Sequence, residues 1–296
     1  MLAVTGITGH TGRFFLNELV QGQYRGKIRC LVRTLHNGPD LSAGQLDMEF
    51  MEGNLDDASA IRRFLTGVDT VVHIANIHFS PELIRLGREC GVRRFVLVHT
   101  TGIYSKYKDA SAEYRRIERD ILPVMEENNI TIVRPTMIFG DLCDHNISKF
   151  IRFVDRLPVL PVVGDGGSLI QPVNARDLAR ALYQVVMQEK TAGKAYDLSG
   201  EKALSVRQLY GMIAQYLGKK RVILPIPMGL CVGGAKTVRL LSSGKIDLVE
   251  KVQRMGECRA YSHEAATRDF GYAPERFEIG LRREVEAYRE SVRGCI

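Results

Sequence analysis

Leu2-Ala-Val-Thr-Gly6-Ile-Thr-Gly9-His-Thr-Gly12, followed by Arg13-Phe-Phe-Leu-Asn-Glu-Leu-Val20, decides the fold. An apolar run of strand-formers reaches three glycines at three-residue spacing, and helical periodicity then begins through Phe14, Phe15, Leu19 and Val20. The pattern predicts a strand, a phosphate loop and a helix. Gly6 permits the tight turn, Gly9 the close approach of backbone to a pyrophosphate, and Gly12 the packing of helix on strand. The unpaired N–H groups at the start of that helix then face the phosphates, with Thr8, His10, Thr11 and Arg13 beside them.

Working outward, Lys27 to Arg33 reads as a second buried strand whose end selects the dinucleotide. A carboxylate here would bind ribose hydroxyls and repel a 2′-phosphate. The chain has Arg33, with Arg13 expected nearby. A guanidinium holds phosphate through paired hydrogen bonds, so NADP(H) is expected over NAD(H). Asp47 to Gly53 is a third strand, after which Asn54 and Leu55 meet the adenine end and one of Asp56 and Asp57 caps a helix. Val68 to Asn76 is a fourth, ending in the small residues Ala75 and Asn76 where backbone passes close to a cofactor. His73 within it is expected to be a packed core histidine. Arg94 to Gly102 is the fifth strand and Asn129 to Arg134 the sixth.

With 296 residues and 45% apolar content the chain can bury a full core. The formal charge of +7 is scattered, without an aromatic-interleaved basic stripe, which argues against nucleic-acid binding. The longest apolar stretch, Val222 to Val232, is broken by Pro225 and Pro227 and is too short to span a bilayer. No basic segment precedes the first apolar run, and the six cysteines are widely spaced. A cytoplasmic protein with reduced thiols and no metal site is the expectation, Cys143-Asp144-His145 being too local to converge on one ion.

The glycine spacing, Gly53-Asn54-Leu55-x-Asp57, Val71-x-His73-x-Ala75 and Arg134-Pro135-x-x-Ile138-Phe139-Gly140 resemble the extended and atypical short-chain dehydrogenase/reductase superfamily. Gln171 to Asp177 resembles the segment opening a late Rossmann helix, and Asp269-Phe-Gly271-Tyr272-x-Pro274-x-x-Phe277 the superfamily's C-terminal signature. The likeness is greatest to the atypical branch of NAD(P)-binding proteins that includes NmrA-like regulators and a complex I accessory subunit. The resemblance implies an α/β fold: a Rossmann doubly wound parallel sheet with a smaller C-terminal substrate lobe. Residues 1–150 would form the dinucleotide-binding domain, joined by 169–199, while 151–168 and 200–296 form the lobe across an interleaved boundary. It also implies that Pro135, Thr136 and Met137 lie against the nicotinamide carboxamide.

Active relatives use a Ser or Thr after the fifth strand, matched by Thr100 or Thr101, and a Tyr-x-x-x-Lys pair in which lysine favours the phenolate. Here the helix after the fifth strand reads Ser111-Ala-Glu-Tyr114-Arg-Arg116-Ile-Glu118-Arg-Asp120. If Tyr114 is the tyrosine, Glu118 stands in place of lysine, with the wrong sign. If Arg116 is the cation, Ala112 stands in place of tyrosine. A literal Tyr104-x-x-x-Lys108 falls in the preceding loop. Thr101, Tyr104, Lys108 and Tyr114 are the candidate catalytic residues.

Two readings follow. One is an NAD(P)-dependent oxidoreductase or epimerase-like enzyme with a degenerate Tyr/Lys pair, acting on a small-molecule carbonyl, alcohol or nucleotide-sugar. The other is a non-catalytic NAD(P)(H)-binding sensor or structural subunit. The enzyme is preferred because a substrate lobe is expected, with helices near 228–241, 246–255, 263–269 and 277–293. In the first of these Val232, Val238 and Leu241 are expected to be core. An anionic nucleotide-sugar would want convergent arginines, and Arg239, Arg254 and Arg259 are available there, but three arginines of unknown placement do not make a site.

Overall fold

A computed structural model of the chain describes residues 1–35, 46–107, 109–242 and 244–293. The opening stretch forms β1 (Leu2–Thr5) and α1 (His10–Gln21), then β2 (Ile28–Val32), β3 (Met48–Glu52), α2 (Ala58–Leu65), β4 (Thr70–His73), α3 (Ser80–Glu89) and β5 (Arg94–Val98). Next come α4 (Asp109–Ile121), β6 (Ile130–Pro135), β7 (Ile138–Phe139), α5 (Ile147–Arg156), β8 (Val159–Val163), β9 (Leu169–Ile170), β10 (Val173–Asn174) and α6 (Ala175–Met187). The remainder is β11 (Ala195–Leu198), β12 (Leu204–Ser205), α7 (Val206–Leu217), β13 (Val222–Ile226), α8 (Met228–Leu241), α9 (Val249–Met255), α10 (Glu264–Phe270) and α11 (Phe277–Arg293).

Seven strands make one parallel sheet in the order β3-β2-β1-β4-β5-β6-β11. The chain runs outward one way from β1 and then returns to lay β4 on its other side. Such a reversal opens a crevice beyond the carboxyl ends of the strands. Strands of the type Leu2-Ala-Val-Thr5, buried along their whole length, suit a sheet covered on both faces. One face is covered by α1 and α6 over Phe15, Leu19, Leu178 and Leu182, and the other by α2, α3 and α4 over Ile61, Leu83, Phe95 and Ile117. His73 is fully buried in β4, facing the Thr5 hydroxyl at 2.7 Å, the packed core position expected of it. Burial pushes its pKa down to about 4.

A third core lies apart, built by Ile147, Ile151, Leu160, Leu209, Ile213 and Leu281 of α5, β8, α7 and α11. The division expected at residue 150 falls inside α5, whose first turn already packs in this third core. Ser205 caps α7 with a reciprocal bond from Gln208, and left-handed Gly218 closes it. Val222–Ile226 pairs in parallel with Val159–Val163, a ribbon absent from the sequence expectations. Pro161, Pro225 and Pro227 obscure it, because proline is tolerated only where a strand has a free edge.

The core assignment in α8 needs correction. Val238 and Leu241 are 39% and 80% exposed, and Val232 is only half-buried. Ala235 alone is buried in that helix, because α8 packs chiefly along α9 and turns Leu230, Leu240 and Leu241 outward. No helix among the described residues is long and apolar enough to cross a membrane.

Candidate functional site

The turn after β1 carries the first element of the site. Gly6 has φ +77°, and a Cβ there would lie 2.9 Å from the Ala75 amide. At Gly12 it would lie 2.2 Å from the Gly6 carbonyl, so both positions require glycine. Above the turn lies a cleft of about 510 Å3, lined by Gly6, Thr8, Gly9, Arg33, Asn54, Leu55, Ala75 and Asn76 together with Gly53, Asp56 and Phe79. Eight residues singled out in the sequence thus meet at the crevice where β1 and β4 diverge. A Cβ at Gly9 would meet only the Gly6 carbonyl, at 3.2 Å. A glycine-lined cradle open at a helix N-terminus fits a dinucleotide diphosphate.

Arg33 is exposed at the end of β2, where a shallower recess of about 270 Å3 continues from the cleft past Thr8 and Thr34. Arg13 does not join it. Its guanidinium lies 3.6 Å from Asp141, and His10 approaches the same carboxylate at 3.2 Å, so both side chains turn toward the segment after β7. Thr11 is buried.

A second cavity, of about 290 Å3, lies across the ends of β5 and β6. On the sheet side it is walled by Thr100, Thr101, Thr136 and Met137; Pro135 stays below, accepting a hydrogen bond from Thr101 Oγ1 at 3.2 Å. On the lobe side stand Arg254, in the last turn of α9, and Glu257, Arg259 and Tyr261 beyond it. Glu257 accepts hydrogen bonds from Ser105 Oγ at 2.8 Å and the Lys106 amide at 2.7 Å, tying the two walls together. The Nε atoms of Arg254 and Arg259 are buried without a hydrogen-bond partner. Burial, and then the Arg254 charge, draw the Arg259 guanidinium below its usual pKa.

The candidate tyrosines lie elsewhere. Tyr104 donates its hydroxyl to Asp197 at 3.1 Å, and burial pushes its pKa up to about 12, the wrong direction for a phenolate. Lys108 lies outside the described residues. Tyr114 packs against His78 with the rings tilted and their centroids 5.7 Å apart, and is absent from the cavity wall. Glu118, which seemed to stand in place of a lysine, is a core residue. It receives Arg134 through Nε at 2.9 Å and Nη2 at 2.6 Å, and His99 Nδ1 lies 2.9 Å away. Burial alone would raise its pKa, but these two partners overcome that and hold it low. Burial draws the His99 pKa down, and its Nδ1 faces a Glu118 carboxylate oxygen that can accept from it.

Sequence reasoning missed Glu257 and Tyr261. Tyr261 is the phenol that does line the cavity, its ring 5.1 Å from that of Tyr104. Burial raises its pKa, so it is protonated at neutral pH. No local motif marks it, since it reaches the cavity from 160 residues beyond Thr101 in the chain.

The chain belongs to the NAD dependent epimerase/dehydratase family, whose model matches residues 2–199. It is 27% identical over 240 residues to the mitochondrial NADH dehydrogenase [ubiquinone] 1 alpha subcomplex subunit 9 of Dictyostelium discoideum, covering 72% of this chain and 64% of that subunit. It is 25% identical over 224 residues to the (4-alkanoyl-5-oxo-2,5-dihydrofuran-3-yl)methyl phosphate reductase of Streptomyces griseus, covering 74% of each chain. Its fold matches that of the dTDP-glucose 4,6-dehydratase of Streptomyces venezuelae, solved with NAD bound, with a TM-score of 0.72, 21% identity and coverage of 98% and 97%.

Proposed function

We propose that this protein is an NADP(H)-preferring oxidoreductase that reduces a carbonyl, or oxidises the matching alcohol, of a small anionic molecule. The supporting observation is the second cavity. A dinucleotide cleft alone would serve a sensor equally well, but here the strand ends carrying Thr100 and Thr101 face two guanidinium groups whose Nε atoms lack partners. An anion entering between them would recover hydrogen bonds that are otherwise lost on burial.

Gly6, Gly9 and the first amides of α1 would hold the diphosphate, Asn54 and Leu55 the adenine, and Ala75, Asn76, Thr136 and Met137 the path toward the nicotinamide. Arg33 would pair with a 2′-phosphate. The bound dinucleotide would supply or accept hydride. On the protein side, Thr101 orients the substrate oxygen and Tyr261 donates a proton to it, replacing the Tyr/Lys pair of the active relatives. The reductase from Streptomyces griseus, whose name specifies a phosphate-bearing substrate, supports the anionic choice.

Calorimetric titration with NADP(H) and NAD(H), followed by a hydride-transfer screen over phosphorylated and carboxylated carbonyl compounds, tests the proposal. Saturable NADPH binding with oxidation by one such class is the expected result. Tight binding with no turnover on any carbonyl would favour the sensor or structural-subunit reading, to which the complex I relative lends support.

A further inference from the structure

Further space borders the second cavity on the lobe side. The cavity shares Arg259 with a neck of about 30 Å3 lined also by Met255, Phe150 and Tyr210. Those three residues in turn border a groove of about 320 Å3 walled by Phe153, Val162, Ile226 and Cys231. The sequence of environments is therefore polar cavity, guanidinium, narrow apolar neck and apolar groove.

The groove is built by α5, the β8/β13 ribbon and α8. The groove opens to solvent, and exposed apolar walls of this kind favour an apolar guest. Here α8 contributes one fully buried residue, Ala235, and lays Cys231 only half-buried against the groove. A nucleotide-sugar, polar at both ends, would leave this volume unused and its walls unpartnered.

We infer that the substrate is an amphiphile, with an anionic head between Arg254 and Arg259 beside Thr101 and a hydrocarbon tail threaded past Met255 into the groove over Phe150 and Phe153. The inference rests on the reading of the second cavity as the substrate site. The arginine pair supplies the charge that selects the head, and Arg259, which borders both the cavity and the neck, sets the direction of the tail. Each methylene entering the groove leaves water, which strengthens binding by up to about fourfold.

The test uses the full chain and a series of alkyl phosphates from methyl to octyl, titrated below their micelle concentrations, with and without NADPH. Affinity is expected to rise two- to fourfold per methylene from butyl onward, to a total of about 16- to 250-fold between butyl and octyl, while uncharged octanol binds at least tenfold more weakly than octyl phosphate. Cys231→Trp, which fills the groove, should remove the chain-length gain and leave methyl phosphate and NADPH binding unchanged. Equal affinity for methyl and octyl phosphate overturns the inference, as does a chain-length gain that survives in a folded Cys231→Trp. Should that variant not fold, the wild-type series and Met255→Trp at the neck decide the matter. The two proposals fail separately: absent NADPH binding defeats the oxidoreductase reading, whereas a flat chain-length series beside normal NADPH binding defeats only the amphiphile.

Discussion

Arg134 clasps Glu118 through two guanidinium nitrogens, at 2.9 and 2.6 Å, in the interior between β6 and α4. The side chains are 10% and 3% exposed, so neither can turn to water if the other is removed. Breaking a buried pair of this kind costs about 3–5 kcal/mol. Glu118→Ala and Glu118→Lys are both expected to lower unfolding free energy by that amount in chemical denaturation. The lysine variant restores no hydride transfer, because residue 118 points into the core and away from the reacting atoms.

Glu284 predicts a pH dependence. Buried against Asp144, it is pushed up to about 10, first by burial and then by that neighbouring acid. Its folded pKa lies above the unfolded value, so its contribution to stability is fully present below about pH 4 and is lost as pH rises toward 10. Glu284→Gln can still accept from the Gly140 amide, as Oε2 does at 3.2 Å, without titrating. Its melting temperature should exceed that of the parent by an increasing margin from pH 5 to pH 9. The corresponding free-energy slope is at most about 1.4 kcal/mol per pH unit. A margin that is flat with pH would refute the assignment.

For the dinucleotide, Arg33→Asp should weaken NADP(H) by about ten- to a hundredfold and leave NAD(H) unchanged or tighter, since a carboxylate repels the 2′-phosphate and receives the ribose hydroxyls. Arg13→Ala, with its guanidinium turned to Asp141, should leave the NADP/NAD ratio alone. Parallel calorimetric titrations of the two variants measure both effects.

Tyr261→Phe should lower kcat by about a hundredfold on whichever carbonyl the screen identifies, with dinucleotide affinity unchanged. Tyr104→Phe should leave kcat within about threefold, because that hydroxyl is spent on Asp197. The reverse pattern would return the proton-donor role to Tyr104.

Along α8 the stability map should be inverted relative to its apolar sequence. Leu240→Gln and Leu241→Gln, at 79% and 80% exposed positions, are expected to change unfolding free energy by less than about 0.5 kcal/mol. Leu182→Ala in the main core should cost about 2–5 kcal/mol.

The Rossmann half was legible because its signals are local. Glycine spacing, all-apolar strands and the caps at Asp57 and Ser205 each depend on residues within a few positions of one another. The cleft-lining set from Gly6 to Asn76 follows from those signals, since strand ends in one sheet necessarily meet. Glu118 was misjudged because its meaning depends on Arg134 and His99, which arrive from two different strands. Tyr261 and Glu257 escaped notice for the same reason, and α8 because Leu, Val and Gly occur around its whole circumference, leaving no stripe to show which side is wet.

The Glu257 contacts have a mechanical consequence. Ser105 and Lys106 fasten the lobe to the sheet at one side of the cavity, and further along the same wall the Tyr261 amide donates to Gln171 Oε1 at 3.0 Å while Ser199 Oγ donates to the Tyr261 carbonyl at 2.8 Å. The strip from Glu257 to Tyr261 is thus stitched down at both of its ends. The helix α8, which buries a single alanine, carries no part of that wall, so substitutions along it leave the cavity's shape alone.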